Sequence, residues 1–166
     1  MGKKSVKENK SIYQLTREGL GLTREEASDR LDFLSADRIE KIENERTMLH
    51  PDEVLAMSRA YQAPELCNYY CSHECAIGQE YVPQVEVKDL SRIILEIIAT
   101  LNTVNKEKDR LIEIAADGQI SEDEYPDFKR IEDQLGQVSL SVDALQLWVR
   151  KTIAEGRIDS KIYNQE

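Results

Sequence analysis

Between Val87 and Ile153 apolar residues return at alternating spacings of three and four, and this constrains the chain more than any other feature. The first stripe is Val87, Leu90, Ile94, Ile97, Leu101, Val104, Leu111 and Ala115, with Lys108 as its one charge. The second is Phe128, Ile131, Leu135, Val138, Val142, Leu145, Val149 and Ile153, with Trp148 beside it. Such spacing keeps one side of an α-helix apolar over many turns. Two long helices are therefore expected, and the short DGQI segment between them requires an antiparallel hairpin over residues 88–156. Gly118 fits a left-handed turn position, Ser121 with Glu124 a capping box, and Gly156 a stop. Ile93, Ile98, Ile112 and Ile114 widen the apolar surface beyond what two helices cover, so the hairpin is expected to dimerise with a second copy, the alternative being that it folds back onto its own amino-terminal domain.

Only 6% of the residues are aromatic, with 7 Gly and 4 Pro, which argues against a barrel or sandwich of tight turns. Runs such as Ile93-Ile94-Leu95 are far too short to span a bilayer. The start MGKKSVKENK lacks the apolar stretch of a secretory signal, so a cytoplasmic protein is expected. The formal charge of −10, from 22 basic and 32 acidic residues, excludes generic basic-patch binding to nucleic acid. Any contact with a duplex must come from a few placed cations. There is no glycine-rich phosphate loop, no HExxH and no serine on a strand-to-helix elbow. The carboxylates lie at charge-pairing spacings, so neither an enzyme nor a small-molecule substrate is inferred.

Residues 11–75 read as five short helices after a flexible start at 1–10. Ile12, Leu15 and Leu20 form a weak first stripe, ended by Gly19 and Gly21. Thr23 opens the second helix through TREE, a capping box with Glu26, and Ala27 and Leu31 face inward. DFLS breaks it. Ser35 caps the third helix, ADRIEKIE, which buries Ile39 and Ile42. Pro51 opens the fourth, with Val54, Leu55, Met57 and Ala60 inside, and Pro64 begins the fifth. Residues 76–87 read as a connector and 157–166 as a tail.

The succession LTREEASDRL, LSADRIEKIENER and PDEVLAMSRAYQAPEL resembles the Cro/phage-repressor (XRE-type) helix-turn-helix family over roughly residues 10–70. Arg24 stands where that family has Gln, the DFLS turn is one residue longer, and Glu45 replaces the Gly after the Ile-Glu ending, leaving the left-handed cap to Asn44. The resemblance implies a five-helix repressor-like domain, and with the long antiparallel hairpin read from spacing the chain is expected to be all-α. It also implies that the third helix enters a major groove, with Ala36, Asp37, Arg38 and Lys41 near base edges and Arg24 and Arg46 on phosphate. A transcriptional regulator of double-stranded DNA follows from it, and the dimer expected from the hairpin makes that DNA site two-fold. The alternative is a non-catalytic adaptor that kept the shape but binds protein, because Asp37, Glu40, Glu43 and Glu45 crowd the same helix. Lys3, Lys4, Lys7 and Lys10 form either a groove-seeking arm or a solvated start.

All three cysteines lie in CNYYCSHEC. Cys67, Cys71, His73 and Cys75 are the donor types of a tetrahedral zinc site, although nine continuous residues would have to curl tightly around the ion. Packing of small apolar thiols and a redox-sensing or iron–sulfur role are the other readings. His50 is a candidate outside ligand. DGQISEDE matches only the second half of a calcium loop, so a hairpin turn is preferred there.

Overall fold

The computed structural model describes residues 9–163, and every regular element among them is a helix. The helices are α1 (Ile12–Gly19), α2 (Arg24–Leu31), α3 (Ala36–Glu43), α4 (Pro51–Ala60), α5 (Glu65–His73), α6 (Ala76–Tyr81), α7 (Leu90–Ala115), α8 (Tyr125–Ala154) and α9 (Ser160–Tyr163). The chain divides into two compact units. One holds the residues up to Gln84 together with those from Arg150 onward; the other is Val85–Val149. No helix among the described residues is long and apolar enough to cross a membrane.

In the first unit the boundaries follow local chemistry. Ser11 caps α1, its Oγ accepting the Gln14 amide at 3.3 Å. At α2 both halves of the capping box form: Thr23 Oγ1 accepts from the Glu26 amide at 3.1 Å, and Glu26 accepts from the Thr23 amide at 2.7 Å. Asp32 takes a positive φ of 53° in the long turn, and Ser28 Oγ ties that turn down by donating to the Leu34 carbonyl at 2.7 Å. Ser35 caps α3 through the Arg38 amide. Pro51 starts α4, where Glu53 accepts the His50 amide at 2.9 Å. Ala27, Leu31, Leu34, Ile39, Ile42, Val54, Met57, Tyr61 and Leu66 form the centre of one core.

Several expectations change here. The stripe read on α1 is wrong: Leu15 and Leu20 are exposed, while Tyr13, Gln14 and Arg17 are buried. Polar bonds, rather than apolar spacing, set the rotation of this helix, because Tyr13 and Arg17 reach Glu74 and Glu43. Leu55 on α4 is also exposed. The left-handed residue after α3 is Glu45 (φ 57°), not Asn44 (φ −95°). The expected connector contains α6, whose Gly78 lies so close to α5 that a Cβ there would stand 2.0 Å from the Cys71 carbonyl oxygen. At the far end of the chain Lys151 Nζ reaches Glu65 Oε1 at 2.5 Å.

In the second unit Arg110 pairs with Asp127 at 2.8 Å and Arg130 with Glu107. The residue numbers rise on one helix as they fall on the other, so α7 and α8 are antiparallel. Gly118 takes φ +74° in the turn. Glu124 accepts from the Ser121 amide at 3.0 Å as expected, but α8 starts after it, at Tyr125. The sheltered stripe keeps Ile97, Val104, Leu111, Ile131 and Val138 of the one read in sequence, but its alternate positions lie one residue earlier. It is Ile93, Ile97, Thr100, Val104, Glu107, Leu111 and Ile114 on α7, and Ile131, Gln134, Val138 and Ser141 on α8. This stripe includes polar side chains. The residues one step further on, Ile94, Ile98 and Leu101 with Leu135 and Val142, remain 40–52% exposed. In an antiparallel pair of right-handed helices, one step beyond the seam points to the same side on both helices. These five apolar side chains therefore share one face of the hairpin.

Candidate nucleic-acid interface

The site is built around α2 and α3 of the first unit, and its electrostatics begin below the surface. Glu43, the last residue of α3, is 1% exposed. Its carboxylate accepts from Arg17 at 2.5 and 3.0 Å and from Arg24 Nε at 2.9 Å. Arg17 is buried too and also donates to the Leu22 carbonyl. Two guanidinium groups on one carboxylate lock α1, α2 and α3 together. Burial penalises the Arg17 charge, but the hydrogen bond and attraction from Glu43 more than restore it, so its proton is held more tightly than usual.

The expected contact residues fall into two groups around this buried triad. Arg24 and Arg38 are committed to the protein. Arg24 is held by Glu43 and lies 3.7 Å from Glu40. The Arg38 fork takes both oxygens of Glu53, at 2.7 and 2.8 Å, and also bonds Thr47 Oγ1 and the Met48 carbonyl. Arg38 thus fastens α3 to the start of α4 and to the loop between them. Its hydrogen bond holds the Glu53 carboxyl below the usual carboxylate range.

Lys41, Arg46, Asp37 and Ala36 are different. Lys41 meets Asp37 at 2.7 Å, one turn away on the outer face of α3, and both side chains are more than half exposed. Arg46, 69% exposed, lies 4.0 Å from Glu40 Oε1. Exposed pairs of this kind contribute only about 0–1 kcal/mol, so a phosphate can replace the carboxylate at little cost. Ala36 is half-buried in the first turn of α3. Lys10 pairs with Glu18 at 2.7 Å, so its charge is not free for an arm; Lys3, Lys4 and Lys7 lie outside the described residues.

Sequence reasoning passed over Arg17, Glu43 and Glu53 as functional supports. For Glu43 a signal was available, since it lies four residues after Ile39 on the face expected to be inward; for Arg17 there was none, because the inward position of Tyr13 is set by the tertiary structure.

The cysteines share a neighbourhood. Cys67, Cys71 and Cys75 are free and half-buried, and burial together with the other two thiols pushes the Cys71 thiol up. His73 is exposed and stacks on Tyr69, with centroids 4.3 Å apart. Among the described residues no group of three or more His, Cys, Asp or Glu side chains is arranged to hold a metal ion.

Comparison with known proteins agrees with this geometry over one segment. Residues 14–65 match the family model described as Helix-turn-helix. The XRE-type helix-turn-helix read from the sequence is present there, and this family is one of DNA-binding regulators. The match ends within α5 and leaves the second unit outside it. No curated protein and no solved structure matches the chain.

Proposed function

We propose that this chain is a sequence-specific DNA-binding transcriptional regulator that acts as a homodimer on a two-fold site, and that α3 is its reading helix. The reading rests on one observation. Lys41, Arg46 and Asp37 stand outward on a segment of matching family, tied only by ion pairs weak enough to exchange. Arg46 donates to phosphate, and Lys41 reads a guanine edge or a neighbouring phosphate. Asp37, which only accepts hydrogen bonds, selects for a cytosine amino group. Ala36 leaves room for close approach of the helix N-terminus. Arg24 and Arg38 act by holding α2, α3 and α4 in register rather than by touching bases.

The dimer is supported by the apolar face of the hairpin. Ile94, Ile98, Leu101, Leu135 and Val142 bury poorly within one copy, while the sheltered seam carries Thr100, Glu107, Gln134 and Ser141. A second hairpin laid against this face gives a four-helix bundle, and a dimer supplies the two reading helices that a two-fold site requires.

Selection from random duplexes should enrich a two-fold motif. Lys41→Ala and Arg46→Ala should each weaken binding, and a substituted phosphate contact should reduce the log–log salt slope by about 1. Asp37→Ala should relax preference at a single base pair in each half-site. No enriched motif, or unchanged binding by both cation variants, would refute the regulator. The acidic partners on every α3 cation favour the second reading, a protein-binding adaptor; that reading requires those same variants to weaken capture of a protein and not of DNA.

A further inference from the structure

The first unit contains a cleft of about 750 Å³ that the DNA reading does not use. It lies between the start of α1, the loop after α3 and the end of α5. Its volume falls in the range of small-molecule sites. Ile42 and Leu49, both buried, supply apolar surface. The polar and aromatic lining includes Tyr13, Tyr69, Tyr70, His73, Glu45 and Glu74.

These groups are organised. Tyr13 Oη donates to Glu74 Oε1 at 2.8 Å, which fixes the carboxylate at the cleft wall. Tyr69 meets Tyr13 edge-on with centroids 6.2 Å apart and carries His73 stacked on it. Glu45 enters the lining from a left-handed backbone position that glycine would occupy without strain. Both carboxylates act on Tyr69, whose phenol is pushed up by burial, then by Glu74 and Glu45. Arg46 is the one arginine or lysine of the lining, and its guanidinium is drawn toward Glu40 on α3. Aromatic rings beside two carboxylates attract an organic cation through the ring quadrupole and through charge, and they disfavour an anion.

We propose that this cleft is a binding site for a small organic ammonium with an apolar or aromatic body. The ammonium sits against Glu74 and Glu45, and the body lies along the tyrosines over Ile42 and Leu49. Arg46 and Thr47 belong both to the cleft wall and to the proposed phosphate-contacting loop, so occupancy should alter duplex affinity. That coupling rests on the DNA reading; the site itself does not.

Calorimetric titration of the full chain without DNA tests the site, using phenethylammonium, phenethyl alcohol and phenylacetate as cationic, neutral and anionic probes of one shape. The cation should bind about tenfold more tightly than the alcohol, and phenylacetate more weakly than either. Glu74→Gln keeps an acceptor for Tyr13 and removes the charge, so it should erase the preference for the cation over the alcohol. Tyr69→Ala should weaken both probes. Amide resonances of residues 45–49 and 69–74 should move with the cation, and circular dichroism should show each variant folded. Equal affinity for the three probes, a preference that survives Glu74→Gln, resonance shifts confined to other residues, or no binding at millimolar concentration would each overturn the proposal. A site found by calorimetry with no effect on duplex binding would refute only the coupling.

Discussion

Substituting Glu43 tests whether the buried triad is what holds the helix-turn-helix together. Glu43→Leu removes a carboxylate that is 1% exposed and leaves Arg17, itself buried, with the Leu22 carbonyl and the more distant Glu18 carboxylate, 3.9 Å away, as its remaining partners. Removing one partner of a buried ion pair costs about 3–5 kcal/mol, against a total domain stability of about 5–15 kcal/mol. Arg24 is less affected, because its side chain is 29% exposed and water can replace Glu43. With a urea slope of about 1.5 kcal/mol per molar, the midpoint should fall by about 2–3 M. The double variant Arg17→Met with Glu43→Leu separates charge from packing. It leaves no buried ion and forfeits mainly the bond to the Leu22 carbonyl, worth about 1–3 kcal/mol with a charged donor, so it should recover much of the loss. Urea titration by circular dichroism gives the free energies, and hydrogen exchange at α1, α2 and α3 assigns them to the first unit. A single-variant cost below about 1 kcal/mol, or a double variant no better than the single, would refute the reasoning.

Three further outcomes follow from the same geometry. Ile94→Asp with Leu101→Asp places charge on the exposed apolar face and should convert a particle of about 38 kDa, twice the 19.1 kDa chain, to a monomer in light scattering. Gly78→Ala drives a Cβ into the backbone of Cys71 and should cost about 1–3 kcal/mol in thermal unfolding, whereas Gly136→Ala, with open space around it in α8, should gain about 0.5–1 kcal/mol. Glu53 is held below its ordinary range chiefly by Arg38, so its folded value lies under the unfolded one near about 4.3. The stabilisation is complete above the unfolded value and fades as pH falls through the folded one. The urea-midpoint gap between the wild type and Arg38→Ala should therefore be constant from pH 7 to about 5 and narrow toward about pH 3.

Local chemistry made much of the architecture legible. Thr23 with Glu26, Ser35, Pro51 and Pro64 mark helix starts, because a cap or a proline acts on the amides of the next turn, whatever the rest of the chain does. The two long helices followed from a spacing that no strand supports. Which side of each helix faces inward was a different matter. On α7 the sequence offers two adjacent apolar stripes, and choosing between Ile93 and Ile94 requires α8 to be in place. On α1 the apolar Leu15 gives way to Gln14 and Arg17, since the bond from Arg17 to Glu43 joins residues 26 apart. Arg38 looked like a base reader by position, yet Glu53 and the loop at Thr47 and Met48 claim its fork.

By itself, the sequence determined where α2 to α5 begin, that the chain is all-α, and that residues near 10–70 follow a repressor-like pattern; each depends on neighbours within a turn or two. Only the tertiary structure decided which cations are committed and which can be exchanged, which apolar face the hairpin leaves uncovered, and that three distant segments enclose an aromatic, carboxylate-lined cleft. Ion pairs and cavities arise between residues far apart in the chain, and their strength depends on burial, which spacing alone does not fix.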